Sequence, residues 1–121
     1  MAQEPRVTPM IHVPNVKATM EWYESIGFKI LAAYENDGEV AFAVASYGAG
    51  WVYFNEGGKT SDADRREVDL YVSVDDVQEV YERLKGRVEI RSELEETFYG
   101  TREFIVRDLN GFWVTFGQDM K

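Results

Sequence analysis

A four-residue pattern recurs in the two halves of this 121-residue chain and restricts how the chain can fold. Trp51-Val52-Tyr53-Phe54 and Trp113-Val114-Thr115-Phe116 lie 62 residues apart, and each comes shortly after a glycine. Both segments are aromatic and alternating, which is typical of β-strands. A fixed offset of this kind indicates an internal repeat of about 60 residues.

The rest of the chain follows the same repeat. Residues 10–16 align without gaps on residues 71–77 at an offset of 61. Each half predicts a strand, a helix and three further strands, with Asn15 capping the first helix and Asp75 or Asp76 the second. Asn110-Gly111 supplies the positive φ angles of a tight hairpin. The predicted strands are 7–13, 28–34, 39–46, 51–55, 68–74, 88–91, 102–107 and 112–116, and the predicted helices are 16–25 and 77–85.

These elements predict an α+β fold made of two tandem βαβββ modules. Two such units side by side form a curved mixed sheet around a concave cavity, with the helices on the outer face. We expect a single domain, with module one at about 6–56, a polar linker at about 57–66 and module two at about 67–118.

Composition excludes several classes of protein. The chain has no cysteine, so disulfide scaffolds and thiolate metal sites are excluded. Its net charge of −9 argues against nucleic-acid binding and is compatible with a cationic ligand, although acidity also serves solubility alone. Residues 1–6 carry no apolar run, so no signal peptide is predicted. No apolar stretch is long enough to span a membrane, and we therefore expect a cytoplasmic protein.

Three motifs, in this order, resemble the vicinal-oxygen-chelate superfamily, and within it the glyoxalase and bleomycin-resistance proteins. They cover nearly the whole chain. The resemblance implies paired βαβββ modules and a homodimer with two clefts. The motifs are Asn15-Val16 with Trp22-Tyr23-Glu24 and Ile26-Gly27-Phe28, then Val72-Ser73-Val74-Asp75-Asp76-Val77, and finally Arg102-Glu103-Phe104 with Arg107-Asp108-Leu109-Asn110-Gly111.

The same resemblance implies where a metal would bind. The ligand positions of the metal-dependent members fall here on Thr8, Tyr53, Asp69 and Thr115. Only the aspartate is a good ligand for Zn, Ni or Fe(II), which favour imidazole and carboxylate groups. His12 is the only histidine. We therefore predict no metal, no cofactor and no metal-dependent catalysis.

Strand alternation predicts an aromatic-walled cavity with a few polar groups, which is the usual composition of a small-molecule site. Trp51 and Trp113 either stack on a ligand or simply fill the interior, and His12 is either a wall residue or a base. Glu93, Glu95 and Glu96 fall in a predicted loop that is solvated or borders the cleft. The predicted ligand-binding residues are Met10, His12, Trp51, Tyr53, Asp69, Tyr71, Trp113 and Thr115, with no catalytic residue.

Three hypotheses for the function follow. The first is a non-catalytic protein that sequesters a planar, cationic small molecule, as bleomycin-resistance proteins do, and so confers antibiotic resistance. The second is a glyoxalase-like enzyme or a metal-free isomerase or lyase that uses His12 or Asp69 for proton transfer. The third is a binding module for another metabolite, because one fold hosts many functions.

Overall fold

The structure, a computed structural model, describes residues 5–121. Contacts within the chain divide it into two compact units. The first ends at Lys59 and the second begins at Thr60. We call them module one and module two and describe each by itself. Residues 1–4, on which the prediction about the N-terminus partly rests, lie outside the described part.

Module one has the order βαβββ. Its strands form one mixed sheet in the order β1-β4-β3-β2, in which β1 is parallel to β4 and the other pairs are antiparallel. Asn15 caps the helix, because its side chain accepts a hydrogen bond from the amide of Ala18 at 2.9 Å. The elements are β1 (Met10–His12), α1 (Val16–Ser25), β2 (Lys29–Asn36), β3 (Glu39–Tyr47) and β4 (Gly50–Asn55).

Module two repeats this architecture. Its sheet has the order β5-β8-β7-β6, and β5 is parallel to β8. Asp76, one of the two predicted caps, accepts a hydrogen bond from the amide of Glu79 at 3.2 Å. The elements are β5 (Asp69–Ser73), α2 (Val77–Leu84), β6 (Glu89–Glu96), β7 (Thr101–Arg107) and β8 (Trp113–Asp119).

The α+β class and the tandem βαβββ modules are confirmed, and the hydrogen bonds arrange the strands as two four-stranded sheets, one per module. The repeat offset is confirmed by the registers, because Met10 pairs with Tyr53 as Tyr71 pairs with Thr115.

The helix of each module covers one face of its sheet. In module one the ring of Tyr23, on α1, lies 4.8 Å from that of Phe54, and both side chains are fully buried. In module two Tyr81, on α2, contacts Phe104, which stacks on Phe116 at 5.2 Å. Because side chains alternate along a strand, Tyr53 and Thr115 point to the opposite face, which we call the distal face of each sheet.

Two sequence predictions were wrong. The strand predicted at 88–91 extends over Glu89–Glu96, so the three glutamates assigned to a loop belong to β6. The hairpin turn has a positive φ only at Gly111 (91°) and not at Asn110. There the buried Asp108 carboxylate accepts hydrogen bonds from the amides of Asn110 and Phe112, each at 2.8 Å, and these bonds hold the turn.

The predicted first strand is shortened at both ends, from 7–13 to Met10–His12. Its register with β4 begins only at Met10, which lies beside Tyr53, and Val7 is 94% exposed. Among residues 5–121, no helix has the length and hydrophobicity needed to cross a membrane.

Candidate functional site

The four predicted residues of module one share its distal face. The parallel register places Met10 beside Tyr53 and His12 beside Asn55. Trp51 lies two residues before Tyr53 on the same strand, so its side chain projects in the same direction. These four side chains therefore lie on one surface of module one.

An aromatic series on this face was not predicted. The ring of Phe42 lies 5.3 Å from that of Tyr53 and 6.1 Å from that of Tyr34, so the series crosses three neighbouring strands. Tyr34 is 58% exposed. The sequence does place Tyr34 and Phe42 in predicted strands, where alternation gives the face on which each ring lies. It does not show that the two rings are neighbours, because that depends on the register between β2 and β3.

Trp51 already holds a planar cation. The guanidinium carbon of Arg6 lies 3.5 Å from the centre of the Trp51 ring, within the range of a cation–π interaction. Arg6 is exposed, and it comes from the segment before β1. The indole face is thus positioned to stack on a flat, positively charged group.

The imidazole of His12 is oriented by the backbone. Its Nδ1 lies 3.0 Å from the carbonyl oxygen of Glu56, and since a carbonyl only accepts, Nδ1 carries the proton. In the neutral ring Nε2 is then the acceptor. His12 is exposed, so this nitrogen can accept a hydrogen bond from a bound molecule.

In module two, Tyr71 belongs to a network of hydroxyl groups around a buried carboxylate. Glu103 is 8% exposed and accepts hydrogen bonds from Tyr71 (2.7 Å), Tyr99 (2.9 Å) and the Thr101 hydroxyl (2.9 Å). The pKa of Tyr71 is raised to about 12, mainly because the phenol loses solvation and to a smaller extent because it donates a hydrogen bond to Glu103. The phenol therefore stays protonated at neutral pH.

Gly117 makes room for this arrangement. A Cβ atom built at Gly117 would lie 1.9 Å from the hydroxyl of Tyr71, so the phenol crosses β8 in the space that the glycine leaves. Gly117 and Tyr99 were not predicted as site residues, because they meet Tyr71 and Glu103 only through the sheet register and the β6–β7 turn.

A cavity of about 460 Å³ adjoins Tyr71 at the end of β5. Two carboxylates, Asp75 and Asp119, line it, and no lysine, arginine or histidine does. Its other walls include Ser73, Thr101 and Gly117. The cavity is chemically suited to a cationic group, since its charged side chains are all acidic.

Trp113 is covered on its ring by arginines of the same module. The guanidinium carbons of Arg65 and Arg91 lie 4.7 and 5.0 Å from the ring centre. The indole N–H donates to the carbonyl oxygen of Asp64 at 2.9 Å, and the Asp64 carboxylate accepts two bonds from Arg91, at 3.0 and 2.6 Å. The hydrogen bond from Arg91 lowers the pKa of Asp64. A ligand that stacks on Trp113 must first displace an arginine.

Asp69 and Thr115, the other two predicted residues of module two, are less accessible than expected. Asp69 pairs with Arg65, and its Oδ1 atom is buried without a hydrogen-bond partner. Thr115 is 7% exposed. Both lie on the distal face beside Trp113 and Tyr71, as the registers require.

The donor set at the family's metal positions does not fit a metal ion. Thr8 and Tyr53 in module one offer neutral hydroxyls, as does Thr115 in module two, and the single carboxylate, Asp69, is engaged by Arg65. Within residues 5–121, no three histidine, cysteine, aspartate or glutamate side chains are grouped to hold a metal.

Comparisons with known proteins agree with this architecture. The sequence model of the Glyoxalase/Bleomycin resistance protein/Dioxygenase superfamily matches residues 7–116. No curated protein matches the chain significantly.

Solved structures with the same fold cover nearly all of the chain. TioX from Micromonospora sp. ML1 is 21% identical, with a TM-score of 0.74 over 94% of this chain and 95% of its own. A bleomycin resistance determinant encoded on transposon Tn5 is 17% identical, with a TM-score of 0.74 over 98% and 100%. A bleomycin-binding protein in complex with bleomycin is also 17% identical, with a TM-score of 0.72 over 96% and 99%.

Proposed function

Because this chain belongs to the glyoxalase/bleomycin resistance protein/dioxygenase superfamily, we propose that it binds a planar, cationic small molecule and releases it unchanged. The observation that carries the proposal is the guanidinium of Arg6 stacked 3.5 Å from the centre of the Trp51 ring. A guanidinium is itself a flat cation, so the ring is already placed for the class of group that we propose.

The stacking position of the ligand is the face of Trp51. A bound molecule would take the place of Arg6 and extend along the distal face over Tyr53 and Met10, with His12 at the edge. A cation on an indole face contributes about 0.5–2 kcal/mol, depending on how far water is excluded. Apolar contact with the neighbouring rings adds to this affinity.

Module two has a separate acidic cavity at the end of β5. This cavity is lined by Tyr71, Asp75 and Asp119, and we propose that it receives a positively charged group. Thr115 is buried, and the two arginines on Trp113 are themselves held by Asp69 and Asp64, whereas Trp51 meets the single exposed Arg6. We therefore place the main stacking contact on Trp51 rather than on Trp113.

The chemistry around Tyr71 favours binding over catalysis. A phenol with a pKa of about 12 is neither a nucleophile nor a base at neutral pH, and the Glu103 carboxylate already accepts three hydroxyl hydrogen bonds. Sequestration needs affinity alone, and this cluster supplies fixed polar contacts.

Bleomycin is the first ligand to test. Two similarly folded proteins are a bleomycin resistance determinant and a bleomycin-binding protein, and we propose that this chain likewise acts in antibiotic resistance by sequestration. Metal-free and copper-loaded bleomycin would be titrated into the protein while tryptophan fluorescence is recorded. We expect saturable quenching at about one ligand per chain, and no change at high micromolar ligand would contradict the drug assignment.

Two variants locate the contact. Trp51→Ala should weaken binding by about tenfold, because the stacking surface is removed. Arg6→Ala should leave the ring free and strengthen binding of a cation. Arg87→Ala, which removes an exposed arginine after α2, is the matched control and should change nothing. Weaker binding by Arg6→Ala would contradict the proposed displacement.

We further propose that the protein is a homodimer in the cytoplasm, as its resemblance to the family implies. Size-exclusion chromatography with light scattering should give twice the 13.9 kDa of one chain. A mass of one chain at all micromolar concentrations would contradict the dimer.

A metal-free isomerase or lyase is the second candidate, and the orientation of His12 favours it. Nδ1 donates to Glu56, so Nε2 is available as a base on the same face as Trp51. If turnover of a small carbonyl compound is found, His12→Gln should abolish it while ligand binding persists. Stoichiometric Zn, Ni or Fe in purified protein would instead favour metal-dependent chemistry and contradict both proposals.

A further inference from the structure

The segment of residues 60–66, which we call the strap, is bound to the sheet of module two. Arg107 donates to the carbonyl of Ser61 at 3.2 Å, and Trp113 donates to the carbonyl of Asp64 at 2.9 Å. A Cβ atom at Gly111 would lie 3.2 Å from the Ser61 oxygen, so the strap passes directly over the hairpin turn. These residues belong to the predicted polar linker, and side chains far along the chain bind them.

Arginines from the strap and from the neighbouring strands meet at one end of the module two sheet. Arg65 and Arg91 lie over Trp113, Arg107 is paired with Trp113 across β7 and β8, and Arg66 lies 4.2 Å from the centre of the Phe112 ring. Four guanidinium groups therefore lie at this end of the sheet, of which Arg65 and Arg91 are paired with Asp69 and Asp64.

The strap also borders a cavity of about 450 Å³. Its charged walls are Arg65, Arg66 and one carboxylate, Glu67, so its formal charge is positive. Phe112 and Val68 provide apolar surface. The volume falls in the range of small-molecule sites, and an apolar wall with a few polar groups is their usual composition.

Arg65 can accept a second anionic partner. Its side chain is 60% exposed, and its bond to Asp69 uses the Nη2 atom. A guanidinium has five N–H donors and binds carboxylates in a fork. A partly exposed ion pair contributes little by itself, so the pairing with Asp69 does not prevent a ligand from binding.

We propose that the cavity beneath the strap binds a planar carboxylate, whose charge is held by Arg65 and Arg66 and whose apolar body lies against Phe112 and Val68. This site is separate from the cation site on Trp51, carries the opposite charge and does not rest on the proposed function. The two arginines repel cations, so the site discriminates by charge.

The test uses two probes of the same shape. Benzoate and benzamidine each carry one benzene ring, with negative and positive charge respectively. Each would be titrated into ¹⁵N-labelled protein while amide resonances are followed. Benzoate should shift the amides of Ala63, Val68 and Phe112 in a saturable manner that weakens with salt, and benzamidine should leave them in place. Equal shifts with both probes, or none with benzoate at millimolar concentration, would overturn the proposal.

Variants assign the contact to the strap. Arg65→Gln and, separately, Arg66→Gln should each weaken benzoate binding by about tenfold, as expected when a charged hydrogen bond is lost. Arg83→Gln on α2 removes an arginine that, like Arg65, is paired with a carboxylate four residues away, and this variant should bind benzoate as the wild type does. A dispersed amide spectrum shows that each variant is folded, and unchanged affinity in both folded strap variants would overturn the assignment.

Discussion

The two modules share one architecture but differ in what their distal faces carry. In module one the face is largely aromatic, with the rings of Tyr34, Phe42 and Tyr53 in contact across three strands. In module two the positions equivalent to Phe42 and Tyr53 are Glu103 and Thr115, and the face is a network of hydroxyls, a carboxylate and arginines.

The difference shows which part of a repeat the fold constrains. Each helix-facing side must fill the space under a helix, so Phe54 and Phe116 are both fully buried. No such requirement acts on the distal faces, which are therefore free to differ in polarity. The shared architecture comes from the core, and the chemistry comes from the opposite side of the same strands.

The largest expected effect tests whether the helix-facing cores of the two modules are equivalent. Phe54→Ala and Phe116→Ala should each lower the free energy of unfolding by about 3–5 kcal/mol, because both leave a cavity in a closely packed core. Chemical denaturation followed by circular dichroism measures the loss. Values that differ by more than the measurement error would show that the two cores are not equivalent in energy.

The next largest effect tests the polar network on the distal face of module two. Glu103→Gln keeps the shape of the side chain but replaces an acceptor oxygen by an amide that cannot accept from Tyr71, Tyr99 and Thr101 together. We expect a loss of about 1–3 kcal/mol in the free energy of unfolding. Glu95→Gln on the exposed part of β6 is the control and should be close to neutral. Equal values for the two variants would contradict the structural importance of the cluster.

The smallest effect is confined to alkaline pH. The pKa of Tyr71 is about 12 in the folded protein and 10.0 as the ordinary value. The folded state therefore favours the protonated phenol, and this stabilisation is complete below pH 10 and is lost as the pH rises through about 12. Between pH 10 and about pH 12 the free energy of unfolding of Tyr71→Phe should therefore fall less than that of the wild type.

An absorbance titration at alkaline pH gives an independent reading of the same group. The pKa values of Tyr71, Tyr81 and Tyr99 are all raised, for Tyr71 mainly by burial and for Tyr81 and Tyr99 mainly by hydrogen bonds to carboxylates. The wild type should therefore show late-ionising tyrosines, and Tyr71→Phe should lack one of these late steps. Identical titration curves would contradict the contact between Tyr71 and Glu103.

The architecture was accessible from the sequence because it depends on local patterns. Period-two alternation predicts the helix-facing core, Asn15 and Asp76 mark helix starts, and the offset of the tetrads predicts the second module. The extent of β6 was missed because the charged and polar residues between 91 and 96 are poor strand formers, although Ile90, Ser92 and Leu94 do alternate with more exposed residues.

The chemistry of the distal faces was less accessible because it depends on residues far apart in the chain. Tyr71 and Glu103 are 32 positions apart, and Trp113 and the Asp64 carbonyl are 49 positions apart. Composition cannot show that the cations nearest Trp113 are the protein's own arginines. The register of the sheet and the path of the strap determine which cations lie beside Trp113, and both depend on the packing of the whole module.

The parallel pairing of β1 with β4 has a consequence for the order in which module one is assembled. Met10 finds its partner Tyr53 only after 43 residues, and β1 lies at the edge of its sheet. Contacts of such long sequence separation require a large loop to close first, which slows their formation. During synthesis on the ribosome, the first strand therefore waits until the last strand of the module has emerged. In the finished protein, the amides of this three-residue edge strand should exchange with solvent before those of β3.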